Sequence, residues 1–239
     1  MSSMWSKIPN VGLPMNPFRC FRADAASRIC YSYFVNKTRV EAVSDGIFAI
    51  AITLLVLTIS EPDDYSRLAS QLGERWPSLA AYVVSFAVIG IMWFNHHSIF
   101  AYLEAVDAGL FYLNLLLLMT IAFLPYPTGV LGQALQKGEG ERTAAIVYSA
   151  TMAVNALAWG ALWIYASRGR RLLKSTFPES QRRIATLAFT LGVAVYALSI
   201  GVALINAYAC LAFHGALALY YAFDPLSRHA NRQPVDSAA

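Results

Sequence analysis

Apolar residues fall along this chain in long, almost charge-free runs, not in the short alternations of a half-buried sheet. The first run covers residues 42–59 and is interrupted only by Ser44 and Asp45. The second covers 76–103, with its most apolar part ending near Phe94, and the third and fourth cover 108–136 and 143–167. The last run, 184–223, is 40 residues long. One crossing of a bilayer core of roughly 30 Å takes only about 20 residues. That run therefore holds two crossings, with Ser199, Gly201 and Asn206 as candidate turning points. The pattern predicts an all-α membrane protein with six transmembrane helices per subunit. Residues 1–37 form an N-terminal tail, 38–223 the six-helix domain and 224–239 a C-terminal tail.

The distribution of basic residues supports six crossings. Placing the N-terminus in the cytoplasm puts fourteen of the eighteen Lys and Arg residues inside, including Arg168, Arg170, Arg171, Lys174, Arg182 and Arg183 between helices four and five. Only Arg67, Arg75, Lys137 and Arg142 lie outside. This is the positive-inside asymmetry, and it predicts that both termini are cytoplasmic. The net charge of +4 follows from these loops and calls for no nucleic-acid partner. Residues 1–37 mix basic and aromatic side chains, which suits either an anionic membrane surface or an unstructured tail.

Composition narrows the function. The chain is 57% hydrophobic and 13% charged, with a mean hydropathy of +0.48, too little charge for the surface of a soluble enzyme. Cys20, Cys30 and Cys210 have neither metal-ligand spacing nor an even number. His96 and His97 are neighbours on a helix and point about 100° apart, so one ion is out of reach of both. His214 stands alone and reads as a core histidine. No cofactor and no metal are expected. Nucleophile elbows and phosphate-binding glycine loops are missing.

The first helix carries the most specific signal. Thr38 and Glu41 have the spacing of a capping box, so the helix is expected to start near residue 39. It should stop at Glu61-Pro62. Asp45 then lies about 10 Å along its axis, a costly depth for a carboxylate without a partner. Helix two delivers Trp93, His96 and His97 to the same level from the opposite direction, and Asn114 lies about two turns into helix three. A buried hydrogen-bonded network joining Asp45 to these groups is the expectation. Farther along helix three, Pro125 and Pro127 read as residues that end it.

Arg39-x-x-x-Val43-Ser44-Asp45, followed by GIFAIAITLLVL, resembles the RxxxFSD signature that opens the first helix of the transmembrane protein 175 family. The Trp93-x-x-His96 pattern and the FLPYPT stretch from Phe123 to Thr128 look like the same family, which comprises endosomal and lysosomal potassium channels and prokaryotic relatives. Val43 departs from the signature phenylalanine and removes an aromatic contact; Arg39, Ser44 and Asp45 remain. The resemblance implies a pore lined by the first helix, with Ile50, Leu54 and Leu57 at the constriction and Thr53 as a hydroxyl associated with selectivity. These four stand at i, i+3, i+4 and i+7, one helix face, a spacing that an ordinary packing stripe shares. One six-helix repeat implies a homotetramer with cyclic symmetry, conducting potassium or other monovalent cations across a prokaryotic plasma membrane. There is no TVGYG filter and no regularly spaced arginine ladder, so selectivity would rest on the apolar ring and its hydroxyls. A six-helix secondary transporter and a non-conducting scaffold are the alternative readings.

Overall fold

A computed structural model describes residues 34–62, 65–170 and 172–223. The tail expectations for 1–33 and 224–239, with Cys20 and Cys30, lie outside the described residues. The elements are β1 (Phe34–Val35), α1 (Lys37–Leu54), α2 (Leu68–Glu74), α3 (Trp76–Tyr102), β2 (Val106–Asp107), α4 (Ala108–Phe123), α5 (Pro125–Lys137), α6 (Glu141–Ser167), α7 (Glu179–Ile205) and α8 (Ala207–Phe223).

α1 begins two residues before the sequence suggests, because Asn36 and not Thr38 is the cap. The Asn36 carboxamide accepts from the Arg39 amide at 3.2 Å. Glu41 does not close a box; its carboxylate sits 3.8 Å from Lys37 Nζ one turn back. At its other end α1 tightens into a 3₁₀ turn, Leu55–Thr58.

Pro125 and Pro127 interrupt their span without ending it. Pro125 has no amide to offer the Ile121 carbonyl, and the Leu124 amide takes that acceptor instead at 3.1 Å. The chain continues through Leu124 in helical geometry, and Thr128 closes the next turn onto the Leu124 carbonyl through both its amide and its hydroxyl. α4 and α5 together make one span, Ala108–Lys137.

Among the described residues, five helices are long and apolar enough to cross a membrane: Lys37–Thr58, Trp76–Tyr102, Ala108–Lys137, Glu141–Ser167 and Glu179–Ile205. The apolar helix that follows them is shorter. Of the three candidate turning points, the structure uses Asn206. Its backbone is extended (φ −156°), and its side chain accepts from the Ala209 amide at 2.9 Å, capping α8.

At one end of the bundle β1 pairs antiparallel with β2, and Leu103 bridges to Leu173 in the connection between α6 and α7. Asp107 is buried there, accepting from the Leu110 amide at 2.9 Å and from the Tyr165 hydroxyl at 3.0 Å. A Cβ on nearby Gly109 would fall on the Tyr165 ring end, so a larger residue there would have to displace that ring from Asp107. At the opposite end Trp76 stacks on Tyr208 at 5.8 Å, and the Tyr208 hydroxyl donates to the Leu135 carbonyl.

α6 is the central helix, packed against α4, α5, α7 and α8. Its Tyr148 hydroxyl meets Ser85 Oγ of α3 at 3.0 Å, and Ser85 Oγ lies 2.9 Å from Thr128 Oγ1 of α5. Ser149 lies 3.1 Å from the buried Cys210 sulfur of α8. His214 is a core histidine, but only half satisfied: Nδ1 bonds the Cys210 carbonyl, and Nε2 has no partner among the described residues.

Candidate functional site

α1 has two unlike sides. Val40, Ser44, Phe48, Ala51 and Leu55 recur every three or four residues and are buried against α3, α4 and α5. On the other side Val43, Asp45, Ile50, Thr53, Leu54 and Leu57 are exposed, Ile50 to 59% and Leu57 to 76%. An 18-residue apolar helix therefore offers a continuous face that the other described residues leave uncovered.

The buried side carries a directed hydrogen-bond chain. His96 Nε2 lies 2.9 Å from Asn114 Oδ1, the ring N–H donating because the amide oxygen only accepts. Asn114 Nδ2 donates to Ser44 Oγ at 3.0 Å, and Ser44 donates to the Val40 carbonyl at 2.8 Å. All three side chains are buried. The His96 ring also stacks on Phe100 at 4.2 Å and meets Phe48 edge-on at 5.4 Å. These contacts link α1, α3 and α4 through groups whose hydrogen-bonding capacity would otherwise be stranded away from water.

Asp45 is not part of this buried chain. It is exposed and accepts from the Trp93 indole N–H at 2.9 Å, and Trp93 is itself exposed. The reason is angular: Ser44 and Asp45 are adjacent, about 100° apart around the helix, so only one of them can enter the α3–α4 packing. The convergence expected from the sequence thus resolves into two sets, a buried Ser44–Asn114–His96 triad and an exposed Asp45–Trp93 pair. Trp93 and His96, three residues apart on α3, reach both sets. His97 is exposed beside Trp93, and Arg39 is exposed in the first turn of α1.

Along the uncovered face Ile50, Thr53 and Leu54 follow helical spacing, and Leu57 lies in the 3₁₀ turn. Leu54 and Leu57 are both exposed, at the last α-helical position and in that turn. Thr53 Oγ1 donates to the Ile50 carbonyl at 2.9 Å. Spending its proton on the backbone leaves the oxygen lone pairs as acceptors.

Two contributors escaped the sequence reading. Phe48 fills the space against His96, and only the i, i+4 relation to Ser44 hints at its inward direction. Arg75, just before α3, is 6% exposed and bonds Ser60 and Glu61 beyond the end of α1. Its signal was its isolation among the few basic residues assigned outside.

Residues 39–125 match the family described as endosomal/lysosomal potassium channel TMEM175. A potassium channel of Streptomyces collinus is 48% identical over 188 residues, spanning 78% of this chain and 91% of the relative. The endosomal/lysosomal proton channel TMEM175 of Bos taurus is 41% identical over 101 residues, 38% of this chain and 21% of its own length. Among solved structures, a lysosomal potassium-selective channel TMEM175 homolog from Chamaesiphon minutus superposes with a TM-score of 0.71 at 35% identity. That likeness covers 82% of this chain and 98% of the other.

Proposed function

The chain belongs to the TMEM175 family of ion channels, and from that premise we propose a potassium-preferring cation channel whose conduit is lined by α1 from four copies. It is an integral membrane protein of a channel family, not an enzyme. The observation that carries the proposal is the uncovered face of α1, where bulky apolar side chains and one hydroxyl share a line along the axis. A single copy gives that face nothing to enclose. Around a fourfold axis, Ile50, Leu54 and Leu57 form stacked apolar rings that gate by excluding water. Thr53 supplies a ring of acceptor oxygens that replaces part of a cation's hydration shell.

α8 is the sixth crossing in this reading. It starts beside Trp76, where Tyr208 stacks, and its later residues Tyr221 and Ala222 line a groove together with Phe94 of α3. Its 17 residues rise about 25 Å, adequate for a core of roughly 30 Å when the ends are anchored by aromatic side chains. The chain then returns to the side on which it began. The basic loops support a cytoplasmic location for that side, and the membrane proposed is a prokaryotic plasma membrane.

Native mass measurement and potassium flux into liposomes test the proposal together. Four chains per particle and a potassium flux exceeding that of sodium are expected. A monomer that conducts overturns the α1-lined architecture, and a tetramer that passes no cation overturns the channel and favours the scaffold.

A further inference from the structure

The 3₁₀ turn that presents Leu57 is held from behind at three points. Leu55 is fully buried. Thr58 abuts Gly129 of α5 so closely that a Cβ there would sit 3.0 Å from the Thr58 Cβ. Arg75 provides the third and strongest hold. Its Nη1 donates to the Ser60 carbonyl and, at 2.7 Å, to Ser60 Oγ; its Nη2 donates to the Glu61 carbonyl at 2.7 Å. Two carbonyls and a hydroxyl, immediately after a helix end where unpaired carbonyls collect partial negative charge, are thus gathered by one buried guanidinium. Its planar fork suits three divergent acceptors in a way that an ammonium does not. Arg75 belongs to the junction of α2 and α3, so the clasp ties the end of α1 to another helix. Leu57, in the same turn, is left exposed.

We infer that Arg75 is a positioning residue for conduction, clasping the end of α1 so that Leu57 of each subunit stays at the rim of the pore. This rests on α1 lining the conduit. The clasp acts through the placement of an apolar side chain, so releasing it lowers the barrier that the apolar rim presents. It has no effect once that side chain is gone.

The test is potassium flux by the reconstituted full-length protein, normalised to assembled particles, for wild type, Arg75→Gln, Arg75→Lys, Leu57→Ala and the two double variants. Arg75→Gln should raise leak about tenfold, corresponding to ~1.4 kcal/mol of barrier, and Arg75→Lys, with its charge but not its fork, should fall between. Neither change should add to the leak of Leu57→Ala, since residues acting through one another are non-additive. Unchanged flux in the Arg75 variants, or the same multiplication of leak with and without Leu57, overturns the inference. If Arg75→Gln does not assemble, Arg75→Lys in the two backgrounds decides. A wild type that passes no cation refutes the channel reading itself, and the clasp falls with it.

Discussion

α1 and α6 are both membrane-length apolar helices, and the more apolar of the two is the less buried. In its most apolar stretch α1 buries 28% of its residues inside the chain, α6 56%. Hydropathy cannot explain this, because a side chain gains nothing by exchanging lipid for an equally apolar protein interior. Shape and polarity do. α6 carries Ala144, Ala145, Ser149, Ala156, Ala158 and Gly160, which let neighbouring helices approach closely, and it buries Tyr148, Asn155 and Trp163 with hydrogen-bond partners on other helices. α1 places its one buried polar group, Ser44, inward and leaves Ile50, Leu54 and Leu57 outward. Under the proposed function, the difference separates a helix that builds the subunit from one that builds the assembly.

Substitutions on the two helices should therefore fail in different ways. The largest effect is expected from Trp163→Ala on α6. This residue is 2% exposed, and its indole donates to Thr186 at 3.0 Å, so truncation should cost about 3–5 kcal/mol of subunit stability. Thermal unfolding in detergent checks it. Ile50→Ala on α1 serves as the contrast, and a comparable loss of stability there would mean that the α1 face is packed within the subunit after all.

Asn114→Ala comes next, breaking the buried chain between His96 and Ser44. It should destabilise by about 1–3 kcal/mol, since both partners are left with unmet hydrogen bonds away from water. A variant as stable as wild type would show that water reaches this junction.

A third contrast sharpens the functional half. Ile50→Asn should leave the subunit folded and raise cation leak about tenfold, a barrier change of ~1.4 kcal/mol. Ala51→Asn, which forces an amide into a position that is 1% exposed, should lower the yield of folded protein without opening a path. Equal behaviour of these neighbours in flux and yield would erase the distinction between the two sides of α1.

The smallest effect is expected at Thr53. Thr53→Val keeps the volume and removes the acceptor oxygen, so the ratio of potassium to sodium flux should change by only a few-fold, about 0.5–1 kcal/mol. Total flux should hold. Bi-ionic reversal potentials measure that ratio directly, and an unchanged ratio removes Thr53 from selectivity.

Long apolar runs were enough to read a helical membrane protein and to locate five of its spans to within a few residues, because a bilayer demands about 20 apolar residues per crossing whatever the fold. The motif around Arg39, Ser44 and Asp45 was enough to suggest the family. Which residues of that motif turn inward was not legible, since adjacent positions differ by only one step around a helix and nothing local says which step faces a neighbour. Ser44 and not Asp45 joins His96 and Asn114 because α3 and α4 pack on that side of α1. The passage of the third span through Pro125 and Pro127 likewise depended on the Leu124 amide and the Thr128 side chain rescuing the interrupted turn, and the grip of Arg75 on Ser60 and Glu61 joins residues 14 and 15 positions apart. The inward turn of Ser44 and the grip of Arg75 are angular or long-range facts, set by which helices meet, and helix packing is decided in three dimensions by the fit of small and large side chains. The proline passage is local, but it turns on a backbone choice that the prolines alone do not reveal.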